Sequence, residues 1–145
     1  MSEYTKYEEL LLRSNSREFE FFRFMDLVGR DNAFSILSTH LILQHHLDVY
    51  INDKKFNNFL KQVSNVYMKE VQYHNDLHGA DVAHCANLFL TKGKLITIAD
   101  LDHVDMLGYL TGAMCHDLGH DGYTNAYHVN VFTERAIRHN DKSVQ

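Results

Sequence analysis

Residues 73–84 read YHNDLHGADVAH, and residues 116–125 read HDLGHDGYTN. The chain has 11 histidines in 145 residues, and histidine is the commonest side-chain ligand of metal ions. The composition therefore favours a metal site, and these two stretches contain its candidate ligands.

In the first stretch, His74 and His78 are four residues apart, Asp81 follows after three more, and His84 after another three. On a helix, positions i, i+4 and i+7 lie on one side. We therefore expect His74, His78 and Asp81 to face one cavity, as a metal ligand, a proton donor and an orienting carboxylate would. The alternative is a set of surface or hydrogen-bonded histidines, and this pattern alone does not exclude it.

The second stretch places His116 and Asp117 at the end of an apolar stripe over residues 110–114. An ionisable pair at the end of a buried stripe is costly unless a charge compensates it, as a divalent cation would. His116 offers a neutral nitrogen and Asp117 an oxygen that can bridge two metal ions. His120 follows one turn later. The alternative is a polar helix end with a histidine near its negative pole. Two glycines allow tight turns here, namely Gly119 and Gly122.

Charge and composition exclude several classes of partner. The formal net charge is −5, from 14 Lys and Arg against 19 Asp and Glu, which predicts no nucleic-acid binding. No apolar run is long enough for a membrane span, and the charged start does not resemble a signal peptide. Cys85 and Cys115 are predicted to be buried free thiols in a reducing compartment. We therefore expect a cytoplasmic protein.

The hydrophobic periodicity predicts an all-α chain, and the absence of proline suits that prediction. The Phe-rich stretch 19–25 is compatible with a helix or an extended segment. The other predicted helices, with their capping candidates, are 4–13, a helix from Asp31 or Asn32 to about His46, one from Asn52 or Asp53 through Tyr67, 79–91, one from Asp100 to His116, and one from Thr124 or Asn125 to about Asn140. In the helix that ends near His46, the residues predicted to face inward are Phe34, Leu37, Leu41 and Ile42. In the helix over 79–91 they are Val82, Cys85, Ala86 and Phe89. In the helix that ends at His116 they are Leu101, Val104 and Met114.

The paired stretches, Tyr73-His74-Asn75-x-x-His78-Gly79-x-Asp81-Val82 and His116-Asp117-x-x-His120-x-Gly122-x-x-Asn125, resemble the signatures of class I 3′,5′-cyclic nucleotide phosphodiesterases. Tyr67 and Asn140-Asp141-x-Ser143-Val144 agree with this resemblance, which covers roughly residues 20–145. It implies a helical bundle of the HD-type metallophosphohydrolase fold. It also implies that residues 1–145 are a truncated, N-terminal part of the catalytic domain.

The same resemblance assigns roles to individual residues. His74 is the general acid that protonates the 3′ leaving oxygen. The metal ligands are His78, His116 and Asp117, with Asp117 shared between two metals. Three further residues support or line the pocket, namely Tyr73 near the phosphate, His120 beside the metal-bound water and Asn125 on the pocket wall.

The implied activity is hydrolysis of cyclic AMP or cyclic GMP to the 5′-nucleotide by a hydroxide bridging two metal ions. The family usually holds zinc in one position and magnesium or manganese in the other. The residues that select the purine lie outside these stretches, so the sequence does not choose between the two substrates.

The sequence departs from the family pattern in two ways. Asp121 stands where the family usually has proline; an aspartate can form the turn through its own backbone, while its charge alters the metal environment. The family's fourth metal-binding aspartate and its purine-binding residues would follow Gln145. A fragment lacking them would expose apolar faces and self-associate. The alternatives are therefore a metal-binding fragment without turnover, or another HD-type phosphohydrolase, which the Tyr-His-Asn triplet at residues 73–75 fits less well.

Overall fold

The computed structural model describes residues 3–140 and residue 142, without the side chains of residues 3–6. These residues form helices joined by short loops, and no strand occurs among them, so the predicted all-α fold class is confirmed. The helices are α1 (Glu3–Leu11), α2 (Phe21–Val28), α3 (Arg30–Gln44), a 3₁₀ helix (Leu47–Tyr50), α4 (Asp53–Val66), α5 (Asp76–Thr91), α6 (Leu95–Ile98), α7 (His103–Cys115), α8 (Asn125–Asn130) and α9 (Glu134–Arg138). Three residues cited for the family resemblance lie outside the described part of the chain, namely Asp141, Ser143 and Val144.

Helix α5 lies at the centre of the fold, packed against α3 on one side and α7 on the other. The predicted inward face of α3 is confirmed, because its four apolar residues are at most 1% exposed, namely Phe34, Leu37, Leu41 and Ile42. Helix α4 adds Leu60 and Val63 to the same core. The helix that carries the first histidine stretch is therefore held on two sides by apolar packing.

Helix α5 begins earlier than the sequence predicted, at Asp76, with Asn75 as its N-cap. The Oδ1 of Asn75 accepts hydrogen bonds from the backbone N–H groups of Leu77 at 3.0 Å and His78 at 3.4 Å. Its amide nitrogen donates to the carbonyl of Val71 at 2.9 Å. His74 consequently precedes the helix. The prediction that His74 shares a helical face with His78 and Asp81 is wrong, because Asn75 caps the N-terminus of α5 and His74 lies before that cap.

The first residue of α5, Asp76, is anchored in the core. Its side chain is fully buried and forms a bidentate pair with Arg30, with N···O distances of 2.6 and 3.1 Å. The hydroxyl of Ser64 donates a third hydrogen bond at 2.7 Å. Burial alone would raise the pKa of Asp76, but the hydrogen bonds from Arg30 and Ser64 and the charge of Arg30 outweigh it and lower the pKa.

The inward faces of α5 and α7 differ from the prediction. On α5, Ala86 is buried as predicted, but Phe89 is 59% exposed and Cys85 is exposed. The other buried positions include Ala80, Ala83 and Leu90. The small side chains allow α5 to lie close to both neighbouring helices, and the larger Phe89 is left outside. Of the two cysteines predicted to be buried, the exposed Cys85 contradicts that prediction.

Helix α7 starts at a different cap from the one predicted. Asp102, and not Asp100, is the N-cap, and it forms a reciprocal capping box with Asp105. The buried stripe of α7 consists of Met106, Leu110 and Met114, and Val104, which was predicted to face inward, is 70% exposed. The end of the stripe at Met114, just ahead of His116, is as predicted.

The last predicted helix is interrupted. Thr124, one of the two predicted candidates, caps α8, but α8 ends at Asn130. Phe132 adopts a left-handed backbone conformation with φ of 52°, and Thr133 then caps α9 through the N–H of Ala136. The periodicity predicted one helix here, but a second capping threonine, Thr133, divides it into α8 and α9.

Several large apolar side chains remain on the surface, including Phe89, Ile98 and Val104. These agree with the expectation of exposed apolar faces, while self-association itself remains a prediction. Within the described part of the chain, every helix is too short or too polar to cross a membrane.

Candidate metal centre

The two histidine stretches meet because α5 and α7 approach closely at Gly79. A β-carbon placed on Gly79 would lie 3.0 Å from the carbonyl oxygen of Met114 and 3.0 Å from the hydroxyl of Tyr67. The Tyr67 hydroxyl also donates a hydrogen bond to that carbonyl at 3.0 Å. Burial raises the pKa of Tyr67 to about 12, so it remains a donor at neutral pH. Tyr67 thus fixes the end of α7, immediately before His116.

His78, His116 and Asp117 converge at this point. One carboxylate oxygen, Oδ2 of Asp117, lies 3.2 Å from Nε2 of His78 and 2.9 Å from Nε2 of His116. The three candidate ligand atoms lie within 4.8 Å of one another. In a tetrahedral site with bonds near 2.1 Å, neighbouring ligand atoms are about 3.4 Å apart. The two distances to Asp117 are a few tenths of an ångström shorter than this spacing.

The hydrogen bond on the other ring nitrogen of His116 fits a metal ligand. Its Nδ1 lies 2.8 Å from the carbonyl oxygen of Ala113, and a carbonyl only accepts, so Nδ1 carries the proton. The lone pair of a neutral His116 is then on Nε2, pointing at an oxygen of Asp117. Two acceptors in contact require a cation between them, either a proton or a metal ion. Carbonyl support of this kind is usual for metal-binding histidines.

The electrostatics of His78 agree with this arrangement. Burial is the main reason that the pKa of His78 is lowered, and the charge of His116 lowers it further, while Asp117 opposes the shift. A lowered pKa keeps the imidazole neutral, which is the form that binds metal.

His74 lies beside the cluster without belonging to it. Its ring centroid is 5.6 Å from that of His78, edge to face. On its other side His120 is stacked at 3.9 Å, with the ring planes 14° apart. Tyr73, which is 65% exposed, contacts both first-stretch histidines at centroid distances of 4.9 and 4.5 Å. His74, Tyr73 and His120 therefore form one aromatic group at the edge of the cluster.

The loop after Asp117 brings His120 back to this position. Gly119 and Gly122 have φ values of 80° and 88°, a region that favours glycine, as the sequence predicted. The N–H of Gly122 donates to Nδ1 of His120 at 3.0 Å. The proton of a neutral His120 is therefore on Nε2.

Asp121, the residue that departs from the family pattern, is held within the second stretch and its following helices. Its Oδ1 accepts from the N–H of Tyr123 at 3.1 Å, which is the expected turn through its own backbone. The same carboxyl lies 3.3 Å from Nε2 of the buried His128 and 3.4 Å from Nη1 of Arg135. The negative charge of Asp121 is therefore partly neutralised by Arg135, which lies on α9.

Two residues of the predicted set lie elsewhere. Asn125 is exposed at the start of α8 and is not part of the three-residue cluster. The carboxylate of Asp81 is grouped with His84 and Cys85 one turn further along α5. Asp81 does share the lining of a cavity of about 160 Å³ with His78 and Tyr73.

A larger surface cavity of about 580 Å³ is lined in part by His74. It is bounded by both histidine stretches, with His74 and Tyr73 from the first and Asp121 and Gly122 from the second. Its volume is within the range of small-molecule sites. The proposed acid therefore faces a space large enough for a ligand.

The sequence profile of the 3′5′-cyclic nucleotide phosphodiesterase family matches residues 73–145, which contain both histidine stretches and the whole cluster. The chain belongs to this family. It is 37% identical over 91 residues to 3′,5′-cyclic-nucleotide phosphodiesterase regA of Dictyostelium discoideum, a match covering 63% of this chain and 11% of that protein.

Two animal relatives extend the comparison. The chain is 33% identical over 112 residues to 3′,5′-cyclic-AMP phosphodiesterase, isoform F, of Drosophila melanogaster, covering 77% of this chain and 16% of the relative. It is 32% identical over 96 residues to the high affinity cAMP-specific and IBMX-insensitive 3′,5′-cyclic phosphodiesterase 8A of Homo sapiens, covering 66% and 11%. The chain thus matches a small part of each of these proteins.

Sequence reasoning did not assign the residues that position the ligands. Asn75 caps α5 and holds the preceding loop, Tyr67 fixes the end of α7, and the carbonyl of Ala113 orients His116. The adjacent Asn75 and Asp76 could have indicated the helix start, since both residue types favour helix N-termini. A backbone carbonyl leaves no such signal in a sequence.

Proposed function

We propose that this chain forms part of the catalytic domain of a metal-dependent hydrolase of 3′,5′-cyclic nucleotides. The observation that carries the proposal is the convergence of two histidine Nε2 atoms on one oxygen of Asp117, at 3.2 and 2.9 Å. Family membership gives the reaction class, and His74 beside the cluster supplies a candidate acid.

In this proposal, His78, His116 and Asp117 hold the metal ions. The donor set of two imidazoles and a carboxylate suits zinc, and the carboxylate of Asp117 would also suit magnesium or manganese. Divalent ions bound there would supply positive charge at the phosphate and activate water at neutral pH. That charge is important because the chain has a net charge of −5, while the substrate is an anion.

His74 acts as the general acid and donates a proton to the 3′ oxygen as its bond to phosphorus breaks. Its ring lies at the boundary between the metal cluster and the 580 Å³ cavity, where a leaving group would be. The stacked ring of His120 restricts its orientation. General acid catalysis of this kind contributes typically about 10²–10⁴-fold to rate. Tyr73 would cover the phosphate from the solvent side, and Asn125 would contribute to the outer wall.

The substrate class is 3′,5′-cyclic nucleotides, covering cyclic AMP and cyclic GMP. The matched relatives in fly and human are named for cyclic AMP, and a mouse relative 34% identical over 87 residues is named a dual specificity enzyme. The exposed free thiol of Cys85 is of a kind that persists in reducing compartments, which supports a cytoplasmic location.

The test is to incubate the purified chain with each cyclic nucleotide, Zn²⁺ and Mg²⁺, and to measure the 5′-nucleotide by chromatography. We expect any 5′-nucleotide formation to require metal and to be lost in Asp117→Asn and His74→Ala. Only the first variant should also lose bound metal. Formation that persists in Asp117→Asn, or without metal, would contradict the proposal.

A second candidate is a metal-binding module that does not turn over substrate. It is favoured by the size of the cluster, since the described residues bring only three ligand atoms together there. Tight metal binding that depends on Asp117, without formation of 5′-nucleotide, would select this candidate.

A further inference from the structure

A second group of metal-binding side chains lies on α5, outside the centre described above. Asp81, His84 and Cys85 occupy positions i, i+3 and i+4, which face the same side of a helix. A carboxylate oxygen, a ring nitrogen and a thiol sulfur from these residues lie within 4.8 Å of one another. Carboxylate, imidazole and thiolate together are a donor set for zinc-like transition metals.

The state of His84 is the second, independent observation. Its side chain is buried, with 6% of the residue exposed, and its Nε2 is sealed from solvent without a hydrogen-bond partner among the described residues. Leaving such a buried polar atom unsatisfied destabilises the folded state. Among the described residues only Ser38 has a comparable side-chain atom. The unpartnered atom belongs to a member of the Asp81–His84–Cys85 group, which favours a ligand on this histidine.

His84 is also in the form that binds metal. Burial lowers its pKa, while Asp81 and the backbone carbonyls of Ser14 and Ser16 oppose the shift. The ring of Phe19 packs against it at a centroid distance of 4.8 Å, which limits its rotation. The imidazole is thus neutral and held in place.

Two members of this group, Asp81 and Cys85, are exposed to solvent. Asp81, His84 and Cys85 line a surface cavity of about 550 Å³, which Phe19 and Phe89 also border. Arg17 and Lys92 lie on the same cavity wall. Their positive charges oppose a cation, and the carboxylate of Asp81 offsets them. Burial and the charge of Asp81 raise the pKa of the Cys85 thiol, so Cys85 supplies negative charge only when it loses its proton to a bound ion. The cavity leaves room for water or an anion to complete the coordination.

We propose that Asp81, His84 and Cys85 form a second metal-binding site, for a zinc-like divalent ion, separate from the His78–His116–Asp117 centre. Cys85 is seven residues beyond His78 on the same helix, a rise of about 10 Å, so one ion cannot serve both groups. On binding, the S–H bond of Cys85 breaks, the sulfur bonds to the ion as thiolate, and the proton passes to solvent.

The test uses Co²⁺ as a probe with the full 145-residue chain. A cobalt–thiolate bond gives a charge-transfer absorption in the near ultraviolet, and the His78–His116–Asp117 centre has no thiol among its ligands. We expect wild-type protein to develop this band to saturation at one Co²⁺ per thiol site. Cys85→Ser should abolish it, and Asp81→Asn should weaken Co²⁺ binding by at least about tenfold.

Two controls separate this site from the rest of the molecule. Cys115→Ser, which removes the half-buried thiol beside His116, and His116→Ala should both retain the band. Cys85 and Asp81 are exposed, so the Cys85→Ser and Asp81→Asn variants should retain wild-type helicity by circular dichroism. The proposal is overturned if wild-type protein shows no thiolate band at saturating Co²⁺, if the band survives in Cys85→Ser, or if it disappears in Cys115→Ser.

Discussion

The imidazole rings of His74 and His120 are stacked, with their centroids 3.9 Å apart and their planes inclined by 14°. This contact joins the two histidine stretches at the residue proposed as the acid. The sequence distance between them is 46 residues, and it is closed by the packing of α5 against α7 and by the loop that turns back at Gly119 and Gly122.

Removing one of these rings should change the titration of the other. The pKa of His120 is lowered by burial and then by the charge of His74. His74→Ala removes that charge and exposes the ring, so both effects should raise the pKa of His120 towards its ordinary value. The measurement is a proton–nitrogen NMR titration of metal-free protein.

The matched control for that titration is His139→Ala, which removes an exposed histidine near the end of the described chain. It should leave the titration of His120 unchanged. A pKa of His120 that is unchanged or lower in His74→Ala would show that the stacked pair does not exist in solution.

The cap at Asn75 should affect both stability and metal binding. Asn75→Ala removes the side chain that accepts from two backbone N–H groups and holds the loop at Val71. We expect a loss of about 1–2 kcal/mol in the free energy of unfolding, measured by urea denaturation, and weaker Zn²⁺ binding because His78 lies in the capped turn.

Asn52→Ala is the control for that prediction, since Asn52 caps α4 through the N–H of Lys55 and contributes no ligand to the centre. It should lose a similar free energy of unfolding and retain the wild-type affinity for Zn²⁺. Equal Zn²⁺ affinity in both variants would mean that the cap does not position His78.

The buried pair of Asp76 and Arg30 should give the fold a specific sensitivity to acid. The pKa of Asp76 is lowered in the folded state, so its ionised form stabilises the protein above the unfolded pKa of about 3.9. That stabilisation is lost as the pH falls through the lower, folded pKa. Asp76→Asn should reduce the free energy of unfolding at pH 7 by about 1–3 kcal/mol, and the difference from wild type should shrink below about pH 4.

Asp26→Asn provides the comparison, because Asp26 is an exposed aspartate on α2. Its free energy of unfolding should follow that of wild type across the same pH range. If Asp76→Asn kept a constant difference from wild type down to pH 2, the lowered pKa would not be the source of the acid sensitivity.

Asp121 should link the loop of the second stretch to α9. Asp121→Asn removes the charge that pairs with Arg135 at 3.4 Å and contacts His128 at 3.3 Å. The pair is partly exposed, so we expect a loss of about 0.2–1 kcal/mol in the free energy of unfolding that decreases with added salt. Glu134→Gln, which removes the exposed pair with Arg138, should cost less. An equal cost for both variants at every salt concentration would contradict the link.

The sequence predicted those parts of the fold that depend on one local signal. The face of α3 was predicted correctly, and the caps of α4 and α8 were each predicted to within two neighbouring residues, of which Asn52 and Thr124 are the observed ones. Periodicity and a local capping residue decide these features. Asp100 and Asp102 are both plausible caps, and only the reciprocal bond with Asp105 selects the second. That choice is made by side-chain geometry, which periodicity does not contain.

The sequence predicted which residues belong to the candidate site better than it predicted how those residues are arranged. The resemblance named His78, His116 and Asp117, and the structure brings all three together. The helical spacing of His74, His78 and Asp81 indicated a different grouping, which fails because the Asn75 cap precedes the helix. The contact of α5 with α7 at Gly79 depends on tertiary packing, and no local pattern predicts it.

The most direct test of the metal centre is a calorimetric titration of Zn²⁺ into the Cys85→Ser protein, in which the second group has lost its thiol ligand. We predict that adding Asp117→Asn or His116→Ala to this background weakens binding by more than the 10- to 100-fold typical of losing a supporting partner, while adding His139→Ala changes nothing. An unchanged affinity for Zn²⁺ in both the Asp117→Asn and His116→Ala proteins would contradict the assignment of His78, His116 and Asp117 as the metal centre.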